Sequence, residues 1–243
     1  MNYEAALELM KNTRSIRRFK ADPLPGDFID QIIDAGRWAP SGFNQQPWEF
    51  IVIRKPAIKN KIIEFCGASG QQSGQMETAR EDWQKTPKWE PARMENDFRS
   101  APVFILVCGD TRTQAGLPMS VRCDKTRLQG IFTSSLANAF LYMHMAASSL
   151  GLASQWVSAT ATPYAQCMIK DLLAIPKAME IYDMLVVGYP AMKPRPKLLR
   201  DKAKMVHYDQ CDPESFRTDE EVKDFIRKAR AWNIATEKRK ADL

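Results

Sequence analysis

The sequence is short of histidine, glycine and paired cysteine, and each shortage removes a class of chemistry. Two histidines, His144 and His207, are too few for a His-rich metal centre, and no HExxH occurs, so no metal is expected. Eleven glycines in 243 residues leave no Walker loop and no GxGxxG after a strand. A bound anion would therefore have to be held by arginine. No GxSxG marks a serine hydrolase. The five cysteines (Cys66, Cys108, Cys123, Cys167, Cys211) are odd in number and lack CxxC spacing. That argues against a disulfide framework or a zinc site and for a reducing, cytoplasmic setting. No apolar run approaches the ~20 residues of a membrane span, so no membrane partner is expected. The opening MNYEAALELMKN carries acids and has no apolar signal core.

What is present is the composition of a globular chain, 44% apolar and 26% charged, long enough for one large domain or two small ones. The net charge is +6, gathered at residues 14–18 (RSIRR), 193–204 (KPRPKLLRDKAK) and 227–240. Such clusters suit nucleic acid or an anionic cofactor. Asp201, Asp209 and Asp212 interrupt them and no recognition motif accompanies them, so no nucleic-acid partner is expected and that reading is kept as the rival.

Periodicity predicts helices over 3–11, 27–38 (stopped by Pro40), 129–150, about 163–173 and about 219–231. In the longest, Leu136, Phe140, Met143, Ala147 and Leu150 step by four, three, four and three residues, and Gly151 closes it. Strands are predicted at 48–54, 102–109, 154–158 and 181–188. Between the first two strands, residues 67–100 are too polar for core yet carry Trp83 and Trp89; they read as a partly helical excursion that covers something. Without repeats or a linker, the class is α/β or α+β in one domain.

Two segments carry candidate chemistry. TRSIRRFK (13–20) puts Arg14, Ser15 and Arg17 just after a helix, which is what a phosphate needs or what a solvated basic turn contains. APSGFNQQPWEF (39–50) sets Ser41, Asn44, Gln45 and Gln46 between two prolines. Amides donate and accept together, as the edge of a flat heterocycle requires; equally, they can satisfy their own backbone.

RSIRRF, then APSGFNQQPWEF, a long helix ending in LGL, GYPA and MVHYD resemble, in that order from about residue 10 to 230, the FMN-dependent nitroreductase family. The resemblance implies an α+β, single-domain nitroreductase-like fold over 1–243, a central mixed, mostly antiparallel sheet flanked by helices, and an intertwined homodimer with FMN at the subunit interface. Arg14, Ser15, Ile16 and Arg17 match the element that holds the phosphate and ribityl chain, with Arg17 reaching the ring edge that becomes negative on reduction. Thr13 departs from the family, where an arginine is common. Pro40, Ser41, Gly42 and Asn44 match a loop that reaches the flavin from the other subunit, while Gln45 and Gln46 hold its backbone. Trp156, Val157 and Ser158 fall beside the ring, where Ser158 would tune its chemistry; Lys197 and Arg200 precede MVHYD as further phosphate contacts.

Phe43, Trp83 and Trp89 are implied substrate contacts, the tryptophans in a lid-like excursion at about 67–100, with Arg93 and Met94 nearby. His207 belongs to its motif without a catalytic part, and His144 reads as a satisfied interior histidine. The implied activity is NAD(P)H-dependent reduction of a nitroaromatic or quinone-like acceptor by a ping-pong mechanism, with no side-chain acid or base. Specialised branches that dehalogenate, dehydrogenate or consume the flavin, and a flavin-binding module without turnover, are the alternatives.

Overall fold

The computed structural model describes residues 2–76, 79–84, 98–194 and 197–238. The chain divides into two compact units, one of residues 1–71 with 95–194 and one of 72–94 with 195–243. Trp89, Arg93 and Met94 lie outside the described residues.

The first unit is built on a four-stranded sheet in the order β1-β2-β4-β3, from β1 (Trp48–Ile53), β2 (Val103–Asp110), β3 (Ala153–Val157) and β4 (Met179–Gly188). All three pairings are antiparallel; a lone parallel bridge joins Ser15 to Ser154 on edge strand β3. Strand β2 is buried almost throughout, because its two faces serve two cores. Val103, Ile105 and Val107 meet α2 (Gly26–Arg37) and α5 (Lys125–Ser149), packing with Ile29, Ile32, Phe140 and Met143. Phe104, Leu106 and Cys108 meet α3 (Pro56–Met76) and α6 (Pro163–Leu172), packing with Ile62, Cys66, Ala165 and Ile169. The product is a helix–sheet–helix sandwich, the α+β class expected.

Helix α5 has both of its ends written in sequence. The Asp124 side chain accepts from Arg127 N at 3.0 Å, capping the first turn. At the other end Gly151 takes φ +72°, with Gly151 N on Ser148 O (3.1 Å) and Leu152 N on Ala147 O (2.9 Å), a Schellman stop. Helix α6 ends with the same bond pattern, Ile175 N on Lys170 O at 2.9 Å, but puts Ala174 at φ +53° where glycine is preferred. Helix α1 (Tyr3–Asn12) buries nothing fully, and Tyr3 (73% exposed) and Met10 (57%) leave its apolar face open.

Helix α3 is longer than its sequence advertises. Ile58, Ile62 and Cys66 form its buried stripe, but its second half, GASGQQSGQM, is poor in helix formers. In the second unit, α7 (Asp219–Lys238) carries the turn of Trp83. Arg227 Nε donates to Trp83 O (3.4 Å), Lys223 Nζ sits 5.8 Å from the ring centroid, and the indole N–H donates to Glu81.

Two substitutions should move stability in opposite directions. Ala174→Gly relieves left-handed strain and should stabilise by about 1 kcal/mol. Gly109→Ala puts a Cβ 2.4 Å from Phe132 Cζ and 2.7 Å from Leu136 Cδ1, and should destabilise by about 1–3 kcal/mol. Urea unfolding measures both; equal midpoints would contradict the packing described.

Candidate functional site

The arm that follows α1 is stitched to the sheet edge. Ile16 N donates to Ser154 O (2.9 Å) and Trp156 N to Ser15 Oγ (3.3 Å). Further on, Lys20 N donates to Tyr189 O (2.9 Å) and Ala191 N to Arg18 O (3.0 Å). Ile16 and Phe19 are buried in the core, which fixes Arg14 and Arg17 outside it at the edge of β3. Ser15 uses its oxygen as an acceptor from Trp156, leaving its hydroxyl hydrogen for another partner. Ile16, by contrast, can offer a cofactor only backbone.

The loop at 40–47 is held against α5. Asn138 Nδ2 donates to Pro40 O (3.0 Å) and Gly42 N to Ser135 Oγ (3.0 Å). A Cβ on Gly42 would lie 2.3 Å from Ile131 Cγ2, so glycine is needed for this approach. Within the loop, Gln46 N donates to Ser41 Oγ (3.0 Å) and Gln46 Nε2 to Asn44 Oδ1 (3.1 Å). The Ser41 hydroxyl braces the loop's backbone and the amides of Asn44 and Gln46 bond each other, while Asn44 stays exposed with its Nδ2 donors unused among the described residues. Phe43, Asn44 and Gln46 all take positive φ (55°, 55°, 44°), a concentration of left-handed non-glycine backbone characteristic of functional segments. Phe43 is 56% exposed.

The end of β3 differs from expectation in detail. The Trp156 ring stacks on Phe140 (4.0 Å, 30°) and meets Tyr182 edge-on (6.1 Å), so it is a packing residue as well as a site candidate. Val157 is buried in the core and Ser158 is exposed. Trp156 Nε1 donates to Asp183 Oδ2 at 2.5 Å. Sequence reading passed over Asp183, whose signal is an acid inside the apolar run IYDMLVVG. Burial pushes its pKa up to about 6, against the hydrogen bonding that favours the anion. One turn of α5 beyond Phe140, His144 Nδ1 shares a 2.5 Å hydrogen bond with Ser154 Oγ, and burial pushes its pKa down to about 4. His144 is the satisfied interior histidine expected.

The structure thus bonds Ser15 and Ile16 to β3 at Ser154 and Trp156, with Arg14 and Arg17 flanking them in the arm. It places Pro40, Ser41, Gly42 and Asn44 elsewhere along α5. From Ser135, under the loop, to His144, beside the arm's strand, is nine residues, about 14 Å of helix. Lys197 and Arg200 belong to the second unit, where Arg200 Nη2 donates to Lys204 O (3.2 Å). There His207 stacks on Phe216 (4.7 Å) and hydrogen-bonds Ser215 Oγ (3.2 Å). Trp83 anchors its turn onto α7. No group of three or more His, Cys, Asp or Glu among the described residues could hold a metal ion, and none of the described helices is long and apolar enough to cross a membrane.

A helix–sheet–helix sandwich with an arginine arm on its edge strand is the nitroreductase-like fold. The structure of an iodotyrosine deiodinase bound to FMN and 3-iodo-L-tyrosine matches with a TM-score of 0.64 at 24% identity, over 84% of this chain and 99% of that one. In sequence, residues 10–189 match the Nitroreductase family, and the chain belongs to it. A provisionally named NADH dehydrogenase/NAD(P)H nitroreductase of Methanothermobacter thermautotrophicus is 28% identical over 195 residues, 80% of this chain and 82% of that protein. Iodotyrosine deiodinase 1 of Rattus norvegicus is 27% identical over 205 residues, 79% of this chain; the match spans 64% of the rat protein's length.

His144 and Asp183 oppose each other in acid. His144 holds a proton less well folded (about 4) than unfolded (6.5), so its contribution, full above pH 6.5, is lost as pH falls towards 4. Asp183 holds its proton better folded (about 6) than unfolded (3.8), so its contribution grows as pH falls from 6 towards 3.8. Each limit is on the order of 3 kcal/mol. Asp183→Asn should therefore lose stability relative to wild type on going from pH 7 to 4.5, and His144→Gln should gain. Urea unfolding across that range measures this, and parallel curves for all three proteins would refute it.

Proposed function

We propose that this protein is an FMN-dependent oxidoreductase that draws electrons from NAD(P)H and delivers them to a small aromatic acceptor, nitroaromatic or quinone-like, in two successive half-reactions at one site. Family membership supports the class, and the arm supports the cofactor: two arginines and a hydroxyl donor are held at the edge of β3 by buried Ile16 and Phe19, which fits a phosphorylated group. Bound FMN would supply the hydride chemistry, so the side chains need only bind, orient and exclude water. Arg14 and Ser15 would hold the phosphate end, with Lys197 and Arg200 as further cations. Arg17 would offset the negative charge that reduction leaves on the ring edge. Ser158, exposed beside the arm, would face the ring, while Ile16 and Val157 would contribute backbone and Trp156 a wall.

We further propose a homodimer. The loop Pro40, Ser41, Gly42 and Asn44 is held at Ser135, about 14 Å along α5 from His144, whose partner Ser154 bonds the arm, and a second copy can deliver the loop. Exposed Tyr3, Met10, Trp38, Phe43, Leu141 and Tyr142 on the first unit give such an association its apolar area. Phe43, Trp83 and Trp89 are the proposed substrate contacts, the tryptophans within a lid at 67–100; residues 1–243 would work as one FMN-binding domain. Five thiols without a disulfide suit a cytoplasmic setting. The likeness to deiodinases favours one alternative, reductive dehalogenation of an aromatic substrate.

Purified protein should be a yellow dimer that releases FMN on denaturation. Arg14→Ala should weaken FMN binding by about 10- to 100-fold, the worth of a charge-assisted contact. Protein that stays colourless after reconstitution with FMN overturns the reading. An anaerobic screen of nitroaromatic, quinone and halophenol acceptors, followed by flavin reoxidation, separates the two activities.

A further inference from the structure

Strand β3 has five residues and pairs with β4 on one side, while its other side carries the arm. An edge strand of that length has weakly specified register and opens easily. The arm rests on it through Ile16 N on Ser154 O and Trp156 N on Ser15 Oγ. Where Arg14, Ser15 and Arg17 stand therefore depends on how Ser154 and Trp156 are held. Two apart on the strand, both turn their side chains to the α5 side of the sheet. There each meets a buried polar group on a different element. His144 of α5 shares a 2.5 Å hydrogen bond with Ser154 Oγ, and Asp183 of β4 accepts from Trp156 Nε1 at 2.5 Å. Among the described residues, His144 and Asp183, each 7% exposed, are the only buried side chains of the Asp, Glu, His, Lys and Arg types. An apolar side chain would fill either place without the cost of desolvation, but it would not fix a direction. The place of Asp183 depends on one irregularity. Strand β2 pairs Val107 with Asp183 and Cys108 with Ile181, so Tyr182 is an extra, bulged residue. The bulge leaves Tyr182 and Asp183 both on the side where Phe140 and Trp156 lie.

We infer that His144 and Asp183 are positioning residues for the arginine arm: they lock the two residues of β3 that hold it, and so set its hold on a phosphate monoester. The inference rests on the reading of the arm as the holder of the FMN phosphate. The His144 anchor acts through the backbone. With Ser154 Oγ tied to α5, the Ser154 carbonyl keeps a fixed line to Ile16 N, and Ser15 and Arg17 on either side of Ile16 take fixed places. The Asp183 anchor acts through a hydroxyl. With the indole tied to β4, Trp156 N stays aimed at Ser15 Oγ. That oxygen accepts on the strand side, and the serine hydrogen is left to donate away from it. A preset donor in a segment with Arg14 and Arg17 favours a phosphate over the free alcohol of the same cofactor.

The test uses two readouts, one of which needs no cofactor. In the apoprotein, backbone amide exchange is followed by NMR at residues 16 and 156. His144→Leu and Ser154→Ala should speed exchange at Ile16 by about tenfold, and Asp183→Leu should do the same at Trp156, with the β2–β4 ladder unchanged. Asp183→Asn keeps an acceptor for the indole and should exchange as wild type does. Wild-type exchange at these two amides in the Leu variants, or equal acceleration across the whole ladder, overturns the inference. In the second readout, affinities for FMN and riboflavin are compared. Each Leu variant should lose about tenfold of the preference for FMN, with riboflavin affinity unchanged, and Asp183→Asn should keep that preference. A preference that survives in both Leu variants overturns the inference while leaving the FMN reading intact. Wild-type protein that binds neither flavin overturns the FMN reading, and amide exchange still decides for or against the two anchors. Should Asp183→Leu fail to fold, Trp156→Phe removes the same bond from the donor side, and its amide at residue 156 is read instead. Should His144→Leu fail, Ser154→Ala takes its place in both readouts.

Discussion

Burial of α5 against one face of the sheet is the constraint on which the other features of the first unit depend. Leu136, Phe140, Met143 and Ala147 are almost wholly removed from water there, at about 1.5–3 kcal/mol for each of the larger side chains. Because that stripe is fixed, the helix's remaining faces are fixed as well. Ser135 and Asn138 hold the 40–47 loop, Phe140 stacks on Trp156, and His144 reaches Ser154. One helix therefore sets the loop, the end of β3 and, through Ser154, the strand to which the arginine arm is bonded.

Two of the buried polar groups in this contact serve the edge strand, while Ser135 serves the loop. His144 with Ser154 and Asp183 with Trp156 bond residues two apart on β3, which therefore point to the same side. Burial disfavours charge on both titrating groups, lowering the histidine and raising the aspartate. Their effects on stability run in opposite directions over nearly the same pH window. A neutral histidine and a partly ionised acid can thus share one packed layer without making the fold strongly acid-sensitive.

Much of this was legible in the sequence. The stepping of Leu136 through Leu150, the stop at Gly151 and the four apolar runs gave helices and strands within a few residues of their observed bounds. The arm and loop were legible as RSIRRF and APSGFNQQPWEF because polar residues there are dense and locally unusual. What escaped depends on partners distant in sequence. The start of α3 was hidden by its Gly- and Gln-rich second half, although Ile58, Ile62 and Cys66 carry a helical stripe. Asp183 was hidden because a bulge, set by pairing with β2, decides which way it points. Trp156 was legible as a site candidate but not as Phe140's stacking partner, since that contact requires β3 and α5 to be placed first.

The same placement bears on how many chains a complete site needs. The loop holds three left-handed non-glycine residues, braced by bonds among Ser41, Asn44 and Gln46. Phe43 and Asn44 are exposed there. A straight helix keeps Ser135 and His144 about 14 Å apart whatever the side chains do. The open apolar faces of α1 and α5, with Tyr3, Met10, Leu141 and Tyr142, are where a fold of this composition would otherwise have placed charge. The left-handed loop, the fixed helix and the uncovered apolar surface are the observations on which the proposed homodimer rests.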